Sequence, residues 1–252
     1  MIYFSIITVV KNGEKYIYDC LNSLNNQNYR KYEHIIIDGG STDNTLKIIN
    51  KFKKIKKKNK IKLFKFKNKG LYQSLNYGVN VAKGKYIAVL HSDDFFYSTK
   101  LLNKIKKILL NKAFDLLYSN IIFCKRDDKK KFIRSFNPGK YQKNKFQQGW
   151  HFPHTSMIIR KCLLNKVNKY NTKFKIAADY DLMLKLISTN PKIKYYNKVT
   201  TIMRHGGKSN ENIKSIIRAN LECRNSLIRN NYSYPTFIII KKIIRKIFQL
   251  SF

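Results

Sequence analysis

The stretch AVLHSDDFF (residues 88–96) sets two adjacent carboxylates, Asp93 and Asp94, directly behind an apolar run that reads as a buried strand. Like charges side by side repel, and each costs solvation energy when buried, unless a cation or hydrogen-bond donors offset them. Such groups are scarce in this chain: 52 Lys and Arg stand against 14 Asp and Glu, a formal charge of +38. A strand ending in paired acids, against that background, marks a place where negative charge is wanted.

The segments around it repeat the strand signal in alternation with helices. YFSIITVV (3–10) is apolar and β-branched, and YIYDCLNSLNNQ (16–27) sets Ile17, Cys20, Leu21 and Leu24 at helical spacing. YEHIIID (32–38) is a second strand, closed by GGSTDNT, after which Leu46, Ile48, Ile49 and Phe52 mark a helix whose start is assigned to a Ser41 or Thr42 cap. IKLFKF (61–66), KYIAVL (85–90) and FDLLYSNIIF (114–123) supply three more strands, with a helix over LYQSLNYGVNVA (71–82) between the first two. This alternation predicts an α/β fold, a Rossmann-like, mostly parallel sheet with helices on both faces.

In such sheets ligands bind outside the carboxyl ends of the strands. Asp38 ends the second strand and Asp93 and Asp94 follow the fourth, so all three belong to one rim. Three tight pairs of acids stand at the ends of predicted strands or on a predicted helix: Asp38 with Asp43, Asp93 with Asp94, and Asp179 with Asp181. A Mg2+ or Mn2+ held by few carboxylates and several phosphate oxygens of a substrate suits such a rim. The competing assignment makes Asp93 and Asp94 caps of a helix beginning near Ser98.

Beyond residue 125 the pattern becomes irregular through GWHFPHTSMIIRK (149–161), then offers a helix over AADYDLMLKLIS (177–188) and strand-like TTIMRH (200–205). The chain divides into residues 1–125, 126–209 and 210–252, the last a C-terminal helical extension. In FIIIKKIIRKIFQL (237–250), Ile239, Ile240, Ile243, Ile244 and Ile247 share one helical face, with Lys241, Lys242, Arg245 and Lys246 on the other. That helix either docks on the domain core or lies as an amphipathic anchor on an anionic membrane surface.

Composition excludes several classes. A hydrophobic fraction of 43% with 17 Tyr and 16 Phe excludes wholesale disorder. Cys20, Cys124, Cys162 and Cys223 are too far apart for a zinc knuckle or a C-x-x-C pair, and fit reduced thiols in a cytoplasmic protein. No apolar run approaches the roughly 18 residues a membrane span needs, and MIYFSIITVVKNGEKY reads as a first strand rather than a signal peptide. K-N-G-E-K after that strand is no dinucleotide fingerprint, and GGKS (206–209) is no P-loop, because Ile202 stands where its first glycine belongs. The charge raises a polyanionic partner, but the lysine-rich run over residues 51–70 reads as a solvated face.

T-V-V-K-N (8–12), I-I-D-G-G-S-T-D-N-T (36–45) and G-L-Y-Q-S-L-N-Y-G-V-N-V-A-K-G-K-Y-I-A-V-L-H-S-D-D (70–94) together resemble the nucleotide-sugar-binding half of a family 2 glycosyltransferase. A weaker similarity continues through H-T-S (154–156), A-D-Y-D-L-M-L-K-L (178–186) and G-G-K-S (206–209). The resemblance implies the GT-A fold, a nucleotide-sugar donor (commonly a UDP-sugar), a divalent metal (Mn2+ or Mg2+) and inversion at the anomeric carbon.

By the same resemblance, Thr8 and Asn12 lie near the base, Asp38 bonds the base or ribose, and Gly70 and Asn76 join the donor site. Ser92, Asp93 and Asp94 resemble the D-x-D motif, with Asp93 on the ribose and Asp93 and Asp94 as metal ligands. Asp179 resembles the base that deprotonates the acceptor, and His205 and Lys208 line the diphosphate. Two departures stand out: His91 occupies the place of the first D-x-D acid, and Asn68, Gln73 and Ser74 occupy a loop where relatives often carry acids. Trp150 and His154 line an acceptor site or belong to the core, and Asp181 is a helix-surface partner of Lys185.

The expected activity is sugar transfer to a cell-surface glycan or lipid-linked acceptor at the inner membrane face, with no specific nucleic acid partner. The alternatives are a non-catalytic polyanion- or nucleic-acid-binding module, which rim carboxylates disfavour by repelling a phosphate backbone, and a GT-A pseudo-enzyme.

Overall fold

β1 (Phe4–Val10), β2 (Tyr32–Asp38), β3 (Ile61–Lys65) and β4 (Tyr86–Val89) pair in parallel in the order β3-β2-β1-β4. The computed structural model describes residues 2–55, 61–207 and 212–248. The strands are near-continuous apolar runs because both sheet faces are covered. Phe4, Ile6 and Ile36 pack on one face against α1 (Ile17–Asn25), α2 (Thr45–Ile55) and α4 (Leu101–Asn111). Ile7, Ile35 and Ile37 pack on the other against α3 (Leu71–Val81), in one cluster with α6 (Ala178–Ser188), α7 (Ile213–Arg229) and α8 (Pro235–Phe248).

The sheet continues past β4, no longer all parallel. β8 (Ile158–Arg160), followed by the short α5 (Lys161–Lys166), runs antiparallel to β4 and to β6 (Leu116–Cys124), and β9 (Ile193–Arg204) runs parallel to β6. β5 (Phe95–Phe96) pairs antiparallel with β9, and β7 (Phe132–Phe136) with β6. The mostly parallel sheet therefore holds for the first half and becomes mixed in the second. β5 is too short to show a period, yet it decides where the paired acids go. It separates Asp94 from α4, which begins at Leu101 with Ser98 Oγ accepting from the Lys100 N–H (3.2 Å). Asp93 and Asp94 are not its caps.

Two further expectations are corrected, for the α2 cap and for Asp181, and the alternative left open for Trp150 is decided. α2 is capped by Asp43, whose Oδ1 accepts from the N–H (3.0 Å) and hydroxyl (2.5 Å) of Thr45, rather than by Ser41 or Thr42. Trp150 is 6% exposed within a cluster of Tyr118, Phe146 and Phe152, its indole N–H donating to the Pro138 carbonyl at 2.6 Å, so it is core and stacks on no sugar. Asp181 pairs with Lys185 (3.3 Å) but is buried, and it also accepts from Ser226 Oγ (2.9 Å), tying α6 to α7.

The C-terminal helix departs most from its sequence pattern. α8 docks through Ile238 and Ile239, while Phe237, Ile240, Ile243 and Ile244 are 41–56% exposed. Two of its basic side chains bond back to the domain: Arg245 Nε donates to the Gln148 carbonyl (2.8 Å), and Lys242 Nζ donates to Asn220 Oδ1 (3.3 Å) and lies 5.7 Å from the Tyr180 ring centre. Gly149, at φ 72, makes the close approach feasible, because a Cβ there would stand 2.3 Å from the Lys242 nitrogen. No helix among the described residues is long and apolar enough to cross a membrane.

Candidate active site

Two loops meet at the carboxyl ends of β1 and β2. The Asn12 N–H donates to Ser41 Oγ (3.0 Å) and Asn12 Oδ1 accepts from the Thr42 N–H (2.8 Å). Asp38 accepts from the N–H groups of Gly40 (3.0 Å) and Ser41 (3.2 Å) and is 1% exposed. Its carboxylate shapes the turn by satisfying backbone donors that would otherwise be orphaned. It presents no surface to a base or ribose. Thr8 is also a correction: 0% exposed, its hydroxyl donates to the Leu90 carbonyl (2.8 Å) and lies 2.9 Å from His34 Nε2. Burial pushes His34 down to about 3, so its imidazole is neutral, and Nε2 carries the proton it shares with Thr8. Thr8 ties strands together and touches no nucleotide.

The paired acids take opposite roles. Asp94 is 2% exposed; Oδ1 accepts from the Arg204 N–H (3.2 Å), and Oδ2 is enclosed without a protein partner. Burial, then the charge of Asp93, holds its carboxyl well above the usual range, favouring the neutral acid. Of the two acids, Asp93 is the one open to a ligand from outside the loop. That side chain is 27% exposed with Arg126 Nη1 at 3.6 Å. No group of three or more His, Cys, Asp or Glu among the described residues could hold a metal ion alone. An open carboxylate of this kind fits a cation that draws its other ligands from phosphate and water.

Arg204, at the end of β9, fixes this loop. Its Nη1 donates to the Asp93 carbonyl, Nη2 to Asp19 Oδ2 (2.5 Å) and Nε to the Arg126 carbonyl (3.2 Å). The guanidinium carbon lies 4.7 Å from the Tyr16 ring centre and 5.2 Å from that of Phe95. Only a planar fork of donors reaches all of these acceptors from one buried position. TTIMRH contains Arg204 in plain view, but only the pairing of Phe95 with Ile202 brings it to the acids.

Asp179 stands in the first turn of α6, its Oδ1 accepting from the Tyr180 N–H (2.8 Å). Burial raises its carboxyl to about 6, with Lys242 opposing the rise and Glu222 adding to it. Glu222, on α7, accepts from the N–H groups of Lys175 (3.1 Å), Ile176 (2.8 Å) and Ala177 (2.9 Å), and so holds the entry to α6 from outside that helix. The Tyr72 hydroxyl donates to the Ile176 carbonyl; its ring stacks on Tyr170 at 5.8 Å; the Tyr170 hydroxyl meets His154 Nε2 at 2.7 Å. His154 lies 6.0 Å from His91, ring centre to ring centre. This aromatic floor joins the S-D-D loop to Asp179. Burial lowers both histidines, His154 to about 3, so both are neutral imidazoles.

The remaining positions divide. Both ends of the Asn76 amide are engaged by Tyr170, donating to its carbonyl (2.8 Å) and accepting from its N–H (3.0 Å), so Asn76 braces the floor instead of holding a donor. Gly70 begins α3 in the open, with nothing within 4 Å of a would-be Cβ, and Ser92 is half-buried beside Gly13. His205 is exposed in a groove with Arg126, Asp127 and Ile133, its N–H donating to the Cys124 carbonyl (3.0 Å). Lys208 lies outside the described residues.

The sequence model named "Glycosyl transferase family 2" matches residues 5–169. An uncharacterized glycosyltransferase of Methanocaldococcus jannaschii, MJ1057, is 30% identical over 192 residues, 74% of this chain and 65% of that protein. A "PGL/p-HBAD biosynthesis glycosyltransferase" of Mycobacterium tuberculosis is 27% identical over 213 residues, 82% of this chain and 79% of that protein. The chain thus spans less than two thirds of MJ1057. Crystal structures share the fold. Residues 1-349 of S. aureus TarS in complex with UDP-GlcNAc match with TM-score 0.73 at 19% identity, covering 96% of this chain and 72% of that one. The mannosyltransferase PcManGT of Pyrobaculum calidifontis, in complex with GDP-Man and Mn2+, matches with TM-score 0.68 at 16% identity, covering 95% and 68%.

Proposed function

The chain belongs to glycosyl transferase family 2, and from that premise we propose that it moves a sugar from a UDP-sugar donor to an acceptor hydroxyl with inversion at the anomeric carbon. One observation carries this reading: an open carboxylate, Asp93, and a carboxylate tuned towards neutral pH, Asp179, are joined along one aromatic floor through His91, His154, Tyr170 and Tyr72. The TarS complexes with UDP and UDP-GlcNAc support a uridine donor, and the PcManGT complex supports Mn2+. The mycobacterial relative's role in PGL/p-HBAD biosynthesis supports a glycan or lipid-linked acceptor.

In a single displacement the base must lie on the face of the sugar opposite the leaving group. Asp179 takes the proton from the acceptor hydroxyl as its oxygen bonds to the anomeric carbon. The bond from that carbon to the phosphate oxygen breaks, and its electron pair leaves with the diphosphate. A carboxyl raised to about 6 remains ionised at neutral pH yet is a stronger base than an ordinary aspartate. Arg126, beside Asp93, faces the charge that grows on the diphosphate. A Mn2+ or Mg2+ at Asp93 would supply further neutralisation of that charge. His205, Gly70, Ser92 and Asn12 complete the donor side in this reading; Asp94 and Arg204 hold the loop.

The test is thermal stabilisation by UDP and GDP with and without Mn2+, together with donor hydrolysis. UDP with Mn2+ should stabilise the protein, and Asp93→Asn should remove the metal-dependent part. No stabilisation by any nucleotide in the presence of metal would defeat the reading.

A further inference from the structure

α7 and α8 carry a continuous apolar surface that nothing among the described residues covers. Ile213, Ile217 and Leu221 of α7 are 76%, 55% and 56% exposed; Phe237, Ile240 and Ile244 of α8 are 56%, 47% and 45% exposed. The two sets meet in a groove lined by Ile217, Leu221, Ile239 and Ile240. On α8 these residues fall on one side of the wheel, opposite Ile238, Ile239 and the inward-turned Lys242. The helix thus splits its apolar residues: Ile238 and Ile239 face the domain together with Lys242, while Phe237, Ile240 and Ile244 face outward beside Lys241. Leaving so much apolar surface in water is unfavourable, and a contiguous patch rimmed by charge marks an interaction site.

The charge around the patch names the partner. Residues 212–248 contain eight Lys and Arg but a single acid, Glu222, whose carboxylate is turned inward onto the entry of α6. Lys214, Arg218 and Arg224 are exposed along α7, Arg224 also donating to Thr236 Oγ1 across the groove (2.9 Å), and Lys241 Nζ lies 4.5 Å from the Phe237 ring centre. A second copy of the chain would bring the same sign of charge to the contact and be repelled. An anionic lipid surface offers acyl chains to the isoleucines and phosphates to the lysines and arginines.

We propose that the α7–α8 face docks on an anionic bilayer, with Ile213, Ile217, Leu221, Phe237, Ile240 and Ile244 at the acyl boundary and Arg224 and Lys241 among the headgroups. Docking would set α6 one helix layer behind the membrane face, since Lys242, on the inner side of α8, lies over the Tyr180 ring next to Asp179. Under the sugar-transfer reading, docking would hold the enzyme on the surface that carries a lipid-linked acceptor. The docking itself does not depend on that reading.

The experiment is co-sedimentation of the full chain with vesicles of phosphatidylcholine alone and of equimolar phosphatidylcholine and phosphatidylglycerol. Binding is expected only to the anionic vesicles, and the double variant Ile240→Asp, Ile244→Asp should weaken it roughly tenfold or more. Nucleotide binding followed by thermal shift should be unchanged in that variant, which separates loss of docking from failure of the donor site. If circular dichroism shows the double variant unfolded, Arg224→Glu with Lys241→Glu replaces it, with the same expected loss. Equal binding by wild type and variant, absence of anionic-vesicle binding, or a dimer that the Asp substitutions dissolve would each overturn the proposal.

Discussion

The Glu222 carboxylate lies 2.8 Å from the backbone nitrogen of Ile176, three residues ahead of Asp179. A side chain of α7 therefore performs the capping that α6 lacks from its own sequence, and sets a negative charge near the proposed base. Glu222→Gln retains an oxygen for the N–H donors and removes the charge. Loss of that charge favours ionised Asp179, so the acid limb of kcat/KM, expected near pH 6 in the wild type, should move to lower pH with donor KM unchanged. An unmoved limb would show that Glu222 acts only by structure.

Asp179→Asn should lower kcat by about 10^2–10^4, the usual worth of a positioned base, while sparing donor binding. The same substitution should stabilise the fold at high pH. Because burial raises the folded carboxyl to about 6, the penalty for its charge is absent below the unfolded value and complete only above the folded one. A Tm gain of roughly 6–12 °C, equivalent to the about 3 kcal/mol that a rise from 3.8 to about 6 implies, is expected at pH 8 and almost none at pH 3. An equal change at both pH values would refute the burial argument.

Arg204→Met should be destabilising by about 3 kcal/mol, at the low end for breaking a buried pair, because Asp19 keeps Lys129 at 2.6 Å. Nucleotide-induced stabilisation should vanish with it as the Asp93 loop loosens. Arg204→Lys should not restore either property, since one ammonium cannot reach Asp19, the Asp93 carbonyl and the Arg126 carbonyl in their separate directions. Chemical denaturation of the three proteins measures this directly.

Gly149→Ala meets two obstacles: φ 72, and a Cβ only 2.3 Å from the Lys242 nitrogen. The backbone of α8 would have to move away, for a loss of about 1–3 kcal/mol. Faster trypsin cleavage after Lys241 and Arg245, followed by mass spectrometry, should accompany the lower Tm. Cleavage at the wild-type rate would mean that α8 is not held at this crossing.

The first half of the fold was legible because its signals are local. β1, β2 and β4 are short apolar runs ended by polar turns, and the period of α1 is visible in Ile17, Cys20, Leu21 and Leu24, all of them buried. Asp93 was legible for the same reason, as a charge at the end of an apolar strand. The missed features depend on which backbone donors go unsatisfied, and that is known only after the chain has folded. Asp38 was pulled into a turn by Gly40 and Ser41, and Asn76 was claimed at both ends by Tyr170.

What the amino-acid order determined by itself was the α/β alternation and the placing of Asp38 and Asp93 just behind strands; Asp179 came forward only through the family resemblance. What only the tertiary structure decided was the company those carboxylates keep. Arg204 reaches Asp94 across 110 positions of sequence, Glu222 reaches Ile176 across 46, and α8 turns Ile240, Ile243 and Ile244 outward where Gly149 admits its backbone on the other side. Periodicity records which residues share a face of an element. Which way that face is turned depends on the surfaces already present when the element docks.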